Sequence, residues 1–210
     1  MSGKYQSHVT SGAATFSSPS MSAGDFGILV QISPSSGAHG TPTWNAVNMT
    51  LALNQASDGN SGVCSIWYTQ APPVGVTTIA RGANVSVCYA VRATEVVLSG
   101  SPIRSSASNA QTLDVGDIQA TVTSVGTHDL TISGVRCHEE SGIVVHASGE
   151  QTGRDATTVG ADGYAFGTSQ QGAGGASVIH HWDFTGNHAG VIAAVAFIGT
   201  SSKSSITMMI

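Results

Sequence analysis

The groups in this 210-residue chain most able to do chemistry are its eight histidines and twelve carboxylates. Metal binding needs three or four such groups to converge, and acid–base work needs a positioned pair. His180 and His181 look like a ligand pair, but they fall in a run, Ala176–Phe184, that reads as a strand. Adjacent side chains on a strand point to opposite faces, so these two cannot grip one ion. His138 stands with Glu139 and Glu140 where a strand is expected to end, a natural place for a solvated turn. His146 and His188 have no partner at ligand spacing along the chain. Asp58-Gly59-Asn60 and Asp162-Gly163 are turn signals rather than an Asp-rich calcium loop. These spacings predict no metal and no cofactor.

The nucleophile search gives the same answer. No serine sits in a G-x-S-x-G elbow. Gly172-Ala173-Gly174-Gly175 lacks the lysine and the following helix of a phosphate cradle, and reads as a flexible turn. Cys64, Cys88 and Cys137 form an odd set without C-x-x-C spacing, which predicts buried free thiols; Cys64 and Cys88 would be neighbours if their strands pair. Any two strands can bring Glu95, Asp129 or Glu150 together as a hydrolytic carboxylate pair, yet nothing in the sequence selects them. The chain is expected not to be an enzyme, with no catalytic residues to name. A glycoside or ester hydrolase is the third of three functional readings.

The tryptophans allow a binding reading. Trp67-Tyr68 puts one ring on each face of an expected strand. Trp44 follows the turn Gly40-Thr41-Pro42, and Trp182 lies in His181-Trp182-Asp183-Phe184. Strand tryptophans ordinarily fill a core; exposed beside polar residues, Trp44 or Trp182 would instead stack on a glycan or a partner.

These residues are carried by a procession of short strands. Ser65–Thr69 alternates, Pro72-Pro73 cannot donate ladder hydrogen bonds, and Gly75 permits a turn before Val76–Ile79 resumes a β-branched run. Val85, Val87, Tyr89 and Val91 alternate onto one face. Other strands are expected near 8–16, 26–32, 43–47, 49–53, 111–113, 118–122, 129–137, 142–146, 156–159, 176–184, 191–197 and 205–209. Between them, 99–110 reads as a proline- and serine-rich loop and 163–175 as a glycine-rich one. Turn signals recur every 8–12 residues or so, the cadence of an all-β antiparallel sandwich. One domain over 1–210 is predicted, with 1–7 and 199–210 as terminal arms or edge strands.

Composition excludes several partners. Charged residues make up 9% of the chain and its net charge is −5, with seven scattered cations. Nucleic-acid binders need clustered Lys and Arg, and anionic membranes attract basic surfaces, so neither partner is expected. The apolar run Gly190–Ile198 is far short of the roughly 20 residues of a membrane helix and suits a strand buried on both faces. The N-terminal residues lack a signal peptide's apolar core, which predicts assembly in a host cytoplasm without secretion.

The ordered set Leu29-Val30, Thr43-Trp44-Asn45, Met49-Thr50-Leu51, Ile66-Trp67-Tyr68 with Ala71-Pro72-Pro73-Val74-Gly75, Val85-Ser86-Val87, Ile143-Val144-Val145, and Trp182 with Ala193–Phe197 resembles a β-sandwich domain of tailed-phage virion proteins. The similarity spans about Val9 to Ile198. It departs from the pattern at Trp44-Asn45, where Gly-Gly often precedes the central aromatic step. The resemblance implies a jelly-roll or lectin-like sandwich with no catalytic residues to carry over. It also implies a virion structural role: capsid decoration, cement, or a head–tail or fibre accessory. The expected partners are itself, as a homo-oligomer and by the resemblance a trimer, and the major capsid or another virion protein. A carbohydrate- or receptor-binding module on a virion surface is the alternative.

Overall fold

The computed structural model describes residues 4–34, 37–56, 62–138, 142–170 and 177–200. Among them there is no helix, and the strands form an antiparallel sandwich. The first sheet holds β1 (Lys4–Ser11), β9 (Val87–Thr94), β3 (Phe26–Ser33), β7 (Val63–Thr69) and β6 (Thr50–Ala56), in that order. The facing sheet runs β10 (Ile103–Thr123), β15 (Ser177–Phe197), β11 (Leu130–Cys137), β14 (Asp162–Gln170) and β13 (Thr152–Val159), with β12 (Val144–Val145) attached to β15. A third, small sheet contains β2 (Thr15–Ser17), β8 (Thr78–Ala80), β4 (Thr43–Trp44) and β5 (Val47–Asn48).

The alternation of side chains explains why there are three cores. Ile28, Val30 and Ile32 of β3, Cys64, Ile66 and Tyr68 of β7, and Val87, Tyr89 and Val91 of β9 face the second sheet, where they meet Leu130, Ile132, Val191, Val195 and Phe197. The opposite faces of the same strands send Leu29, Trp67, Cys88 and Ala90 outward to Trp44, Met49 and Ile79 of the small-sheet region. Strands buried on both faces must be apolar throughout, and β3 and β11 are fully buried along their length. Gly134 of β11 shows how closely the sheets approach: a Cβ there would lie 2.8 Å from Cys64 Sγ and still nearer Val30 Cγ1.

The third core comes from a strand pair that doubles back. β10 and β15 are each 21 residues long and pair from Ile103↔Phe197 to Thr123↔Ser177, with register shifts between Gln111 and Asp117. Beyond those bulges the ribbon folds over its own sheet: Ser105 Oγ donates to Thr123 O at 2.5 Å and Asn109 Nδ2 to Gln119 O at 3.2 Å. The returning half buries Ile118, Ala120, Val122, Val178 and Trp182 against Val135, Ile192, Ala194 and Ala196. Bulges bend a strand and increase its twist, which is what this reversal requires.

Several expected boundaries change. Residues 103–110 are strand, not loop, because small Ser and Ala side chains are accepted where the neighbour is the buried β15. Residues 163–170 likewise belong to β14, paired on both sides. The expected 43–47 strand is a hairpin: Asn45 and Ala46 take φ of 52° and 63°, the two left-handed residues of a tight turn. The 8–16 run splits between β1 and β2 in different sheets, and 76–79 contributes only β8, outside the sandwich. Val85 packs in the outer cluster rather than with Val87, Tyr89 and Val91. Cys64 and Cys88 face opposite sides of their sheet with β3 between them, and all three cysteines are buried thiols outside any disulfide. The expected strand at 205–209 lies outside the described residues.

Candidate functional site

The outer surface of the folded-over ribbon gathers the histidine and carboxylate chemistry. Alternation along β15 turns His180 and Trp182 inward and leaves His181 and Asp183 on the other face. Asp117 of β10 is directly opposite Asp183. The segment after β12 runs along the edge of β15 opposite β10, held by main-chain bonds from His146 N–H to His181 O at 3.0 Å and from Glu150 N–H to Ile179 O at 2.9 Å. Gln151 clamps the His181 backbone from both sides, donating to its O at 2.8 Å and accepting from its N–H at 3.2 Å. Thus His146, with no partner at ligand spacing along the chain, stands against His181: ring centroids are 3.8 Å apart and the planes 12° from parallel.

Ser148 joins the two rings. Its Oγ is 2.9 Å from His146 Nδ1 and 3.0 Å from His181 Nδ1. Its backbone N–H donates to His146 Nδ1 at 3.0 Å. A ring nitrogen that accepts carries no proton, so His146 holds its proton on Nε2, which faces Asp183 Oδ1 at 3.5 Å. His181 Nε2 is hydrogen-bonded to Asp117 Oδ2. His181 is buried, while His146, Asp117 and Asp183 are partly open to solvent.

Asp117, His181 and Ser148 follow the acid–base–nucleophile order of a hydrolase relay. Acyl transfer also needs free N–H donors for the developing oxyanion. At this turn the Ser148 N–H is given to His146, the Gly149 N–H to His146 O at 2.8 Å and the Glu150 N–H to Ile179 O. The amides of Ser148, Gly149 and Glu150 are therefore spent. The ligand atoms of His146, His181 and Asp183 lie within 4.8 Å of one another, a grouping suited to a cation rather than to an acyl intermediate.

The other candidates have structural partners. Trp44 and Trp182 are 1% and 2% exposed, with indole N–H groups donated to Thr77 Oγ1 at 3.1 Å and Ser133 Oγ at 3.4 Å. Neither presents a ring face to a glycan, because each fills the space between a sheet and its outer cover. Only the edge of Trp182 lines an open groove of about 330 Å³ beside Val144, Val145 and Gly153. Glu95 pairs with Lys4 at 3.5 Å, and Asp129 with Arg104 and the N–H groups of Gly126 and Gly199. Glu150 accepts from Ile179 N–H at 2.7 Å. Asp162, expected in a turn, opens β14 and pairs the buried Arg136 at 2.8 Å, with His138 at 3.1 Å. Residues 58–60, Glu139, Glu140 and 172–175 lie outside the described residues.

Two further histidines sit inside the fold. His39 lies between Ser65 Oγ at 2.6 Å and Ser33 Oγ at 3.0 Å, and Trp67 donates to Ser65 Oγ at 2.9 Å. Burial holds its pKa down to about 4. His180 is fully buried against Thr131 Oγ1 at 2.9 Å, and burial lowers its pKa to about 3. Both are neutral packing groups. No helix is long and apolar enough to cross a membrane among the described residues. Compared with known proteins, the chain matches no family model, no curated protein and no solved structure.

Proposed function

We propose that this chain is a non-enzymatic structural subunit that self-associates, of the kind the sequence resemblance assigns to a tailed-phage virion as capsid decoration, cement or head–tail accessory. The observation that carries the reading is the β6 edge. Among the described residues β6 pairs on one side only, with β7, and its sequence Thr-Leu-Ala-Leu-Asn-Gln-Ala holds no charge, no proline and an exposed Leu51. Proteins that work as free monomers protect such edges with charge, proline or a cover. Val47, Val74 and Val76 are also more than half exposed, which adds apolar surface in the same part of the sequence. A surface with few charges needs little desolvation on association. In this reading the subunit functions in the virion, docked on a capsid or other virion protein, and the trimeric number comes from the resemblance.

Light scattering of the purified chain tests the reading against a Leu51→Lys, Asn54→Lys double variant. The wild type is expected to form a defined oligomer and the variant a monomer with an unchanged circular dichroism spectrum. A wild type that stays monomeric at every concentration overturns the proposal.

A further inference from the structure

We propose that His146, His181 and Asp183, with Asp117 beside them, form a binding site for a divalent transition-metal ion of the zinc class. Imidazole and carboxylate donors suit zinc, whose tetrahedral sites place nitrogen and oxygen ligands about 2.0–2.2 Å from the ion. The ligand atoms of the first three residues already lie within 4.8 Å of one another. Modest side-chain adjustment brings them to ligand spacing, and the partial solvent access of His146 and Asp183 leaves a path for the ion.

Two features of the surroundings point the same way. Asp117 and Asp183 are directly opposed across β10 and β15, and like charges in that relation destabilise a strand pair. The groups facing them are these same two imidazoles, so a dication between the carboxylates relieves a repulsion built into the ribbon. Metal-bound histidines, moreover, have their second ring nitrogen held by another group. Here Ser148 Oγ stands at Nδ1 of both rings and both Nε2 atoms face carboxylates; of these contacts only the Ser148 N–H on His146 Nδ1 is given up on ligation.

The ion has a definite structural consequence. Ligation through Nε2 requires the proton on Nδ1. His181 meets this by donating to Ser148 Oγ. His146 meets it by rotating about its Cβ–Cγ bond and releasing the Ser148 N–H. Metal binding therefore moves the His146 proton from Nε2 to Nδ1 and changes the 146–149 turn while tying it to β15. The site lies on a different part of the sequence from the β6 edge, so it stands or falls apart from the proposed assembly role.

The test uses the full chain stripped with chelator and titrated with Co²⁺, then with Zn²⁺. One equivalent of Co²⁺ is expected to give a visible absorption band that Zn²⁺ abolishes. The band should be lost in a His146→Ala, Asp183→Asn double variant and kept in His128→Gln. Imidazole ¹H–¹⁵N spectra of the wild type provide a readout independent of any variant's folding. Of eight histidines, Zn²⁺ should shift the Nε2 resonances of His146 and His181 and the amide of Ser148. No saturable binding, or stoichiometric binding that leaves those resonances in place, overturns the site.

Discussion

At the scale of single residues, His39 and His180 set how the protein responds to acid. Both are kept neutral by burial, with pKa values near 4 and 3 against an ordinary 6.5. Below pH 6.5 the unfolded chain takes up protons that the folded chain refuses, so stability is full above that pH and falls as the pH drops toward 4 and then 3. Each site contributes a slope of up to about 1.4 kcal/mol per pH unit. Urea denaturation at pH 7, 6 and 5 is expected to show a progressively lower midpoint, with the loss reduced in a His39→Gln variant. A midpoint independent of pH across this range would show that these imidazoles are hydrated in the native state. Neither histidine is marked by its neighbours in sequence as a core residue. His39 occupies its site because Ser33 and Ser65, on adjacent strands, offer it two hydroxyls.

At the scale of elements, the strands legible in the sequence were those with β-branched or aromatic alternation, such as β3, β7, β9 and β11. Their residues carry the pattern because two faces of each are buried. β10 was hidden. Its Ser-Ser-Ala-Ser-Asn-Ala stretch has the composition of a loop and becomes strand through pairing with Val191–Ala196, a relation some 80–90 residues away in the chain. The candidate site was illegible for the same reason. His181 and its separation from His180 could be read from strand alternation, but His146, Ser148 and Asp117 reach it through long-range pairing. The β4–β5 turn offers a test at this scale. Ala46 sits at φ 63°, where a side chain costs roughly 1–2 kcal/mol relative to glycine. Ala46→Gly is expected to raise the thermal midpoint by several degrees, and a lowered midpoint would count against the turn.

At the scale of the whole molecule, the sandwich leaves edges with very different protection. β1 carries Lys4 and a register shift and ties itself down through Lys4–Glu95, His8–Asp155 and Thr10–Asp155. It thereby covers β9, whose other neighbour is β3. Deleting residues 1–11 bares β9 over Val87–Thr94, where Arg92 is the lone charge. The truncated chain is expected to aggregate in light scattering under conditions that keep the full chain in its defined state; a soluble truncation with an unchanged oligomer would refute this. The folded ribbon has a consequence for how the protein is made. A nascent chain can lay down residues 4–94 as one complete sheet, yet the inner face of that sheet, met first by Leu130, Ile132, Tyr164 and Phe166, is completed only by Val191–Phe197, the last segment of β15. At about 5–20 residues per second on the ribosome, that apolar face stays incompletely covered for roughly 5–20 s. The N-terminal half therefore presents incompletely covered apolar surface until the C-terminal half emerges.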